Sequence, residues 1–290
     1  MSSTSRPVLG LAALALAGAL GGLAQAQTPD TAPPADDWTL ADRAGITAAY
    51  VRFDSGIDIV VRCKGESDSI ETLIMGLPAG EGRSRPLRVS LGDQPLIERT
   101  WYVGDEPTTA ISGSPARFAR TLRGGGAVNM VVPGGAQNGR NLRYILNLPA
   151  SSSAVDQVLT ACGKPLVDPR DLQIEEVPEG GLPTGIAWAR PPLAIYPEGF
   201  RTYAWGFATI TCLSQRDGSL DSCETEAQYP LDGGFGAAAL RAMRLAKVQV
   251  PDQPDQPVPR RLVSFTLRFV VPDVSSALRP ETGSRIRPAG

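Results

Sequence analysis

The stretch Ile57-Asp58-Ile59-Val60-Val61-Arg62-Cys63 decides how the first half of this chain is read. Ile57, Ile59, Val61 and Cys63 alternate with Asp58, Val60 and Arg62, the period of a strand whose successive side chains point to opposite faces. Leu87, Val89 and Leu91 alternate with Arg88 and Ser90 in the same way, and Leu142, Tyr144, Leu146 and Leu148 repeat the device. Turn signals separate these runs: Asp54-Ser55-Gly56, Gly92-Asp93, Pro133-Gly134-Gly135 and Asn138-Gly139. The spacing from Trp38 to Cys162 predicts an antiparallel sandwich or partial barrel of about seven or eight strands.

One helix closes this region. Ser153 and Asp156 resemble a capping box, with Asp where Glu or Gln is usual. Val155, Val158, Leu159 and Cys162 then fall on one helical face. Gly163 stands where a left-handed C-cap residue is expected, and Pro165 prevents continuation.

The N-terminus carries an export signal. Met1 to Arg6 is polar with one positive charge, Val8 to Ala24 is uncharged and apolar, and Ala24-Gln25-Ala26 is a small-x-small cleavage pattern. The apolar run is shorter than the roughly 20 residues that span a bilayer. The expectation is a signal peptide over residues 1–26, cleaved to leave a periplasmic protein; an uncleaved segment would instead anchor the chain in the inner membrane. A polar linker follows at 27–37. The β-rich domain runs over 38–163, an acidic, Pro-rich connector over 164–189, a second domain over 190–272 and a flexible tail over 273–290.

Four cysteines in an exported chain point to two disulfides. Cys63 shares a strand face with three apolar residues and Cys162 a helix face with three more, so both are expected in one core. Cys212 and Cys223 flank Asp217-Gly218 symmetrically and would face each other across a hairpin.

Composition excludes more than it assigns. The formal net charge is -2, with three lysines, Lys64, Lys164 and Lys247, against 25 arginines. That balance gives no electrostatic footprint for nucleic acid. The chain has no histidine. The usual general base of serine and cysteine nucleophiles is therefore missing, as is the commonest ligand of catalytic zinc. Gly124-Gly125-Gly126 leads into a strand-like run and not a helix, so it lacks the helix N-terminus that makes a glycine loop hold phosphate. The expectation is a non-enzymatic protein without cofactor or metal.

The C-terminal third alternates again, with Ala208, Ile210 and Cys212 before the Asp217-Gly218 turn and Val263, Phe265, Leu267, Phe269 and Val271 at the end. Between them, Phe235 to Ala246 reads as a helix. Tyr196-Pro197-Glu198, Gly206 opening a strand, Asp217-Gly218, Ala238-Ala239-Leu240-Arg241-Ala242 and Val248-x-Val250-Pro251 occur in that order. From about residue 190 to 271 the chain resembles the C-terminal domain of TonB, the periplasmic energy transducer of Gram-negative bacteria. The resemblance implies a small ββαβ module, so the chain overall reads as α+β: the β-rich domain closed by one helix, then that module. Departures from the family are the cleavable N-terminal segment, the short Pro-rich stretch after it, Val248 at the family's aromatic position and the two hairpin cysteines.

In that family the final strand is an edge that accepts an extended peptide of an outer-membrane receptor. The matching residues here include Ser264, Thr266, Arg268 and Val270, on a strand with one charge and no internal proline. Such an edge is poorly protected against pairing with another chain. The partner expected is a receptor or other envelope protein adding as a strand, with the chain's own tail or a homodimer as competing covers. Three functional readings follow: a periplasmic binding or adaptor protein linked to TonB-dependent transport, a membrane-anchored energy transducer, and a cell-envelope structural protein or enzyme of unrecognised class.

Overall fold

The computed structural model describes residues 37–65, 69–175, 181–197 and 203–271. The expected signal peptide, nearly all of the 27–37 linker and the tail lie outside them. Nine antiparallel strands form the first sheet: β1 (Thr39–Arg43), β2 (Ile46–Arg52), β3 (Asp58–Lys64), β4 (Ser69–Met75), β5 (Ser84–Leu91), β6 (Ile97–Val103), β7 (Ala110–Ser112), β8 (Gly126–Val132) and β9 (Leu142–Leu148). Their spatial order is β1-β2-β3-β4-β7-β6-β5-β8-β9. The outer strands β1 and β9 do not pair with each other, so the sheet is neither a closed barrel nor a two-sheet sandwich. The expectation of a β-rich antiparallel domain holds in part: the sheet is open, nine strands stand where seven or eight were expected, and two helices rather than one cover it.

Helix α1 (Pro115–Leu122) and helix α2 (Ser153–Ala161) pack on one face of the sheet. Ile57, Ile59, Val61, Leu87, Val89 and Met130 meet Phe118 of α1 and Val155, Val158 and Leu159 of α2 in one core. Phe118 stands edge-on to Trp101, ring centroids 5.1 Å apart. The sequence carries the signal for α1 in Ser114-Pro115, an N-cap residue followed by the proline that suits the first helical position. Its brevity hides it among strands. In α2 the N-cap is Ser152, not Ser153, and no side chain caps the backbone. The Ser152 hydroxyl instead donates to Asp156, 3.2 Å. At the other end Gly163 takes φ +62°, and the Lys164 N–H reaches back to the Leu159 carbonyl, 2.8 Å. With the Gly163 N–H on Thr160, this is a Schellman closure that only a residue at ease in left-handed backbone favours.

The connector is not uniformly extended. It holds a 3-10 turn (Pro169–Leu172) and strand β10 (Ala187–Arg190). Beyond it come β11 (Trp205–Ser214), β12 (Leu220–Tyr229), α3 (Phe235–Met243), β13 (Lys247–Gln249) and β14 (Leu262–Val270). Strands β12-β11-β14 form an antiparallel sheet, while β10 pairs with β13 apart from it. Helix α3 covers one face: Phe235, Ala238, Ala239 and Met243 pack on Ala208, Ile210, Val263, Phe265 and Phe269. A Cβ on Gly206 would lie 2.2 Å from the Phe235 ring, so glycine there lets helix and sheet approach.

The other face of this small sheet lies on the large one. Leu73, Tyr102 and Ile111 are buried with Trp205, Phe207 and Ala227 in a third cluster. Strand β4 is therefore covered on both sides, which is why every residue from Ser69 to Ile74 is buried despite period-two chemistry.

Candidate functional site

Cys63 of β3 and Cys162 after α2 are joined by a disulfide, Cα atoms 5.6 Å apart, and both are buried in the helix-covered core. Cys212 and Cys223 are joined across the β11–β12 hairpin, Cα atoms 4.0 Å apart. The hairpin is not perfectly symmetric about its turn. Thr211 pairs with Glu224 but Leu213 with Asp221, so the register shifts by one residue beside the bridge, and Ser222 takes φ +47° there.

Among the described residues, strand β14 pairs with β11 on one side only and is an edge of its sheet. The direction of its free backbone groups follows from the ladder. The Ser214 N–H donates to the Arg261 carbonyl at 2.9 Å, and the Val271 N–H to the Ala204 carbonyl at 3.2 Å. Hydrogen-bonded pairs recur at every second residue of an antiparallel ladder. Val263, Phe265, Leu267 and Phe269 thus bond β11, and the N–H and C=O groups of Ser264, Thr266, Arg268 and Val270 point away from it.

The side chains of those residues do not all stand free. Ser264 is buried and borders, with Thr266, Tyr102, Ser112 and the connector residues Ile174 and Glu175, a polar cavity of about 70 Å³. That is far below the roughly 300 Å³ of a small-molecule pocket. The Thr266 and Thr209 hydroxyls lie 2.9 Å apart, and Arg268 donates to the Ser84 hydroxyl at 2.8 Å. Val270 is 63% exposed. Among the described residues the connector borders the strand from Ser264 to Thr266 through Ile174, Glu175 and Gly181, and the exposed residues of the strand are Arg268 and Val270.

Charged groups fasten the seam between the sheets. Arg120 of α1, with a buried side chain, grips Asp171 through two bonds of 2.6 Å. Arg170 bonds Asp168 at 2.8 Å and reaches Glu224 at 2.6 Å and Glu226 at 3.3 Å on β12. Arg170 holds the Asp168 carboxyl below its ordinary value, an effect partly offset by burial. Burial pushes Glu226 the other way despite Arg170. Farther along, Glu71 of β4 is 1% exposed and 2.6 Å from Arg62, and burial outweighs that cation to raise its carboxyl. None of this was visible as a pattern in the sequence, because its partners lie in different elements.

No family model matches this chain, and no match is found among curated proteins or solved structures. The geometry itself therefore carries the functional argument. Among the described residues no helix is long and apolar enough to cross a membrane, and no group of His, Cys, Asp and Glu is arranged to hold a metal ion.

Proposed function

We propose that this chain is an exported, non-enzymatic binding or adaptor protein of the cell envelope whose residues 190–271 form a TonB C-terminal-like module that takes an extended peptide by strand addition. The observation that carries the reading is the outer edge of β14, which pairs with no further strand among the described residues and where Thr266 and Val270 turn their main-chain groups away from β11. An extended segment laid there gains backbone hydrogen bonds for affinity and reads alternate side chains for selectivity. The order of β11, β12, α3 and β14, with the last strand beside the first and the helix on one face, supports the ββαβ comparison. Two disulfides suit an oxidising compartment and so an exported chain. The partner is a segment of an outer-membrane receptor or another envelope protein, linking the chain to TonB-dependent transport.

The test is a candidate receptor peptide N-methylated on alternate amides. Methylation of the amides facing β14 abolishes binding and methylation of the others leaves it; equal affinity for both sets would rule out strand addition. Analytical ultracentrifugation of the full chain separates an external partner from a second copy on the same edge, since the second copy gives a concentration-dependent dimer.

A further inference from the structure

The small sheet crosses the large one steeply. Ser264 borders Ser112 of β7, Thr266 faces Tyr102 of β6 and Arg268 reaches Ser84 of β5. Tyr102 pairs with Ile111 on one side and Ser84 on the other, so β14 steps across three adjacent strands as it advances. Sheets packed in this way cross near a right angle. Moving from β12 through β11 to β14 then descends toward β6: the Tyr229 hydroxyl accepts from the Asp105 N–H just past β6, Phe207 stacks on Tyr102, and Thr266 lines one cavity with Tyr102 and Thr100. The next strand position lies about 4.8 Å farther, somewhat more than one residue along β6. A segment added to β14 would on this spacing come over Thr100 of β6 and its partner Pro86 of β5, with Glu98 and Arg88 the next residues of the same face beyond it.

These four residues share the outer face of the large sheet with Tyr102, because they follow it and Ser84 at even spacing. Pro86 and Glu98 are exposed, and Thr100 and Arg88 half-buried. Arg88 is the unusual one. Its Nε is buried without a hydrogen-bond partner, and it makes no ion pair among the described residues, although Glu98 is its cross-strand neighbour. A buried guanidinium donor left without an acceptor is costly, and native structures supply one. Arg143, opposite Val131 in the same row, adds a second cation beside Arg88.

We infer that the outer face of β5 and β6 is the floor of the strand-addition site, and that Arg88 selects an extended segment with a carboxylate side chain directed down at it. This rests on strand addition at β14 and adds the chemistry of the partner. Side chains of an added strand point alternately to the floor and to solvent, so the acidic preference belongs to one parity of the segment. A planar guanidinium matches a carboxylate with two parallel bonds, which glutamine cannot reproduce.

The experiment uses the full chain and a set of capped decapeptides of alternating Thr and Val in which one position at a time is Glu, Gln, Lys or Ala. Amide exchange at Thr266, Arg268 and Val270 reports strand addition, and fluorescence anisotropy reports affinity. Glu at floor-facing positions is expected to bind about tenfold tighter than Gln, the scale of one charge-assisted hydrogen bond. Arg88→Gln should bring that ratio close to one while amide protection persists. Glu98→Gln, an exposed change that spares the fold, should raise the ratio. Protection without a Glu preference, or a preference that survives Arg88→Gln, or a ratio unmoved by Glu98→Gln, overturns the floor and leaves strand addition standing. If no peptide protects β14, strand addition fails and this inference with it.

Discussion

The rings of Tyr102 on β6 and Phe207 on β11 stack with centroids 4.0 Å apart and planes 26° from parallel, joining the two sheets through one aromatic contact. Trp205 and Tyr229 extend the stack on the small-sheet side, at 6.1 Å from Phe207 in each case. Phe207 is fully buried. A seam of this kind behaves like core and not like a loose contact between domains.

Phe207→Ala is expected to destabilise the chain by about 3 to 5 kcal/mol, the range for truncating a buried phenylalanine. Guanidinium denaturation followed by tryptophan fluorescence and by far-UV dichroism checks this. Because Trp101 reports the large sheet and Trp205 the seam, coincident transitions are expected, and separated ones would mean that the sheets unfold independently.

The two disulfides close loops of very different length, with sequence separations of 99 and 11. On the chain-entropy estimate they stabilise by about 5 and about 3 kcal/mol. Cys63→Ser with Cys162→Ser should therefore lower the denaturation midpoint more than Cys212→Ser with Cys223→Ser. The reverse order would show that hairpin geometry, not loop closure, dominates.

What was legible in the sequence follows what is local. Ile57 to Cys63 and Leu262 to Val271 announce strands because alternation survives wherever one face is buried. Cys63 and Cys162 could be matched because each shares a face with apolar residues. Strand β4 is harder, since Ile70, Leu73 and Ile74 are buried on both faces and the alternation is blurred. The seam is hardest of all. Trp205, Phe207 and Tyr229 read as ordinary strand aromatics, and only three-dimensional packing shows that Tyr102 covers them. The same blindness hides the floor beneath the β14 edge: Ser264, Thr266 and Arg268 could be named, but not the strands they cross.

Gly206 faces Phe235 so closely that an added methyl would sit 2.2 Å from the ring. Phe235 is itself buried against Phe269, centroids 5.0 Å apart, and cannot swing away without opening the core under α3. Gly206→Ala is expected to cost about 1 to 3 kcal/mol by overpacking. A thermal melt measures it, and Phe235→Leu in the same chain should recover part of the loss. An additive double variant would mean that the ring is not what the methyl meets.

Glu71 supplies a pH dependence whose sign can be fixed in advance. Its carboxyl is buried on β4, 2.6 Å from Arg62, with Asp232 near enough to oppose its charge. Burial is the largest influence and lifts the carboxyl above its ordinary value of 4.5; Arg62 pulls it back only in part. The folded chain thus holds this proton more tightly than the unfolded chain does. Its contribution to stability is fully present below about pH 4.5 and is lost as pH rises through the folded value. Asp168 and Asp232 behave oppositely: their cations and hydrogen bonds lower them below 3.8, so their contributions fade only in stronger acid. The two effects occupy separate windows. Glu71→Gln keeps the shape and removes the charge, so the stability of the variant relative to the parent should climb as pH rises above about 4.5 and through the folded value. Urea midpoints at intervals across that range measure it. A difference that stays flat would mean that Arg62 fully compensates the buried carboxylate; one that falls with pH would mean that the ion pair, and not burial, governs Glu71.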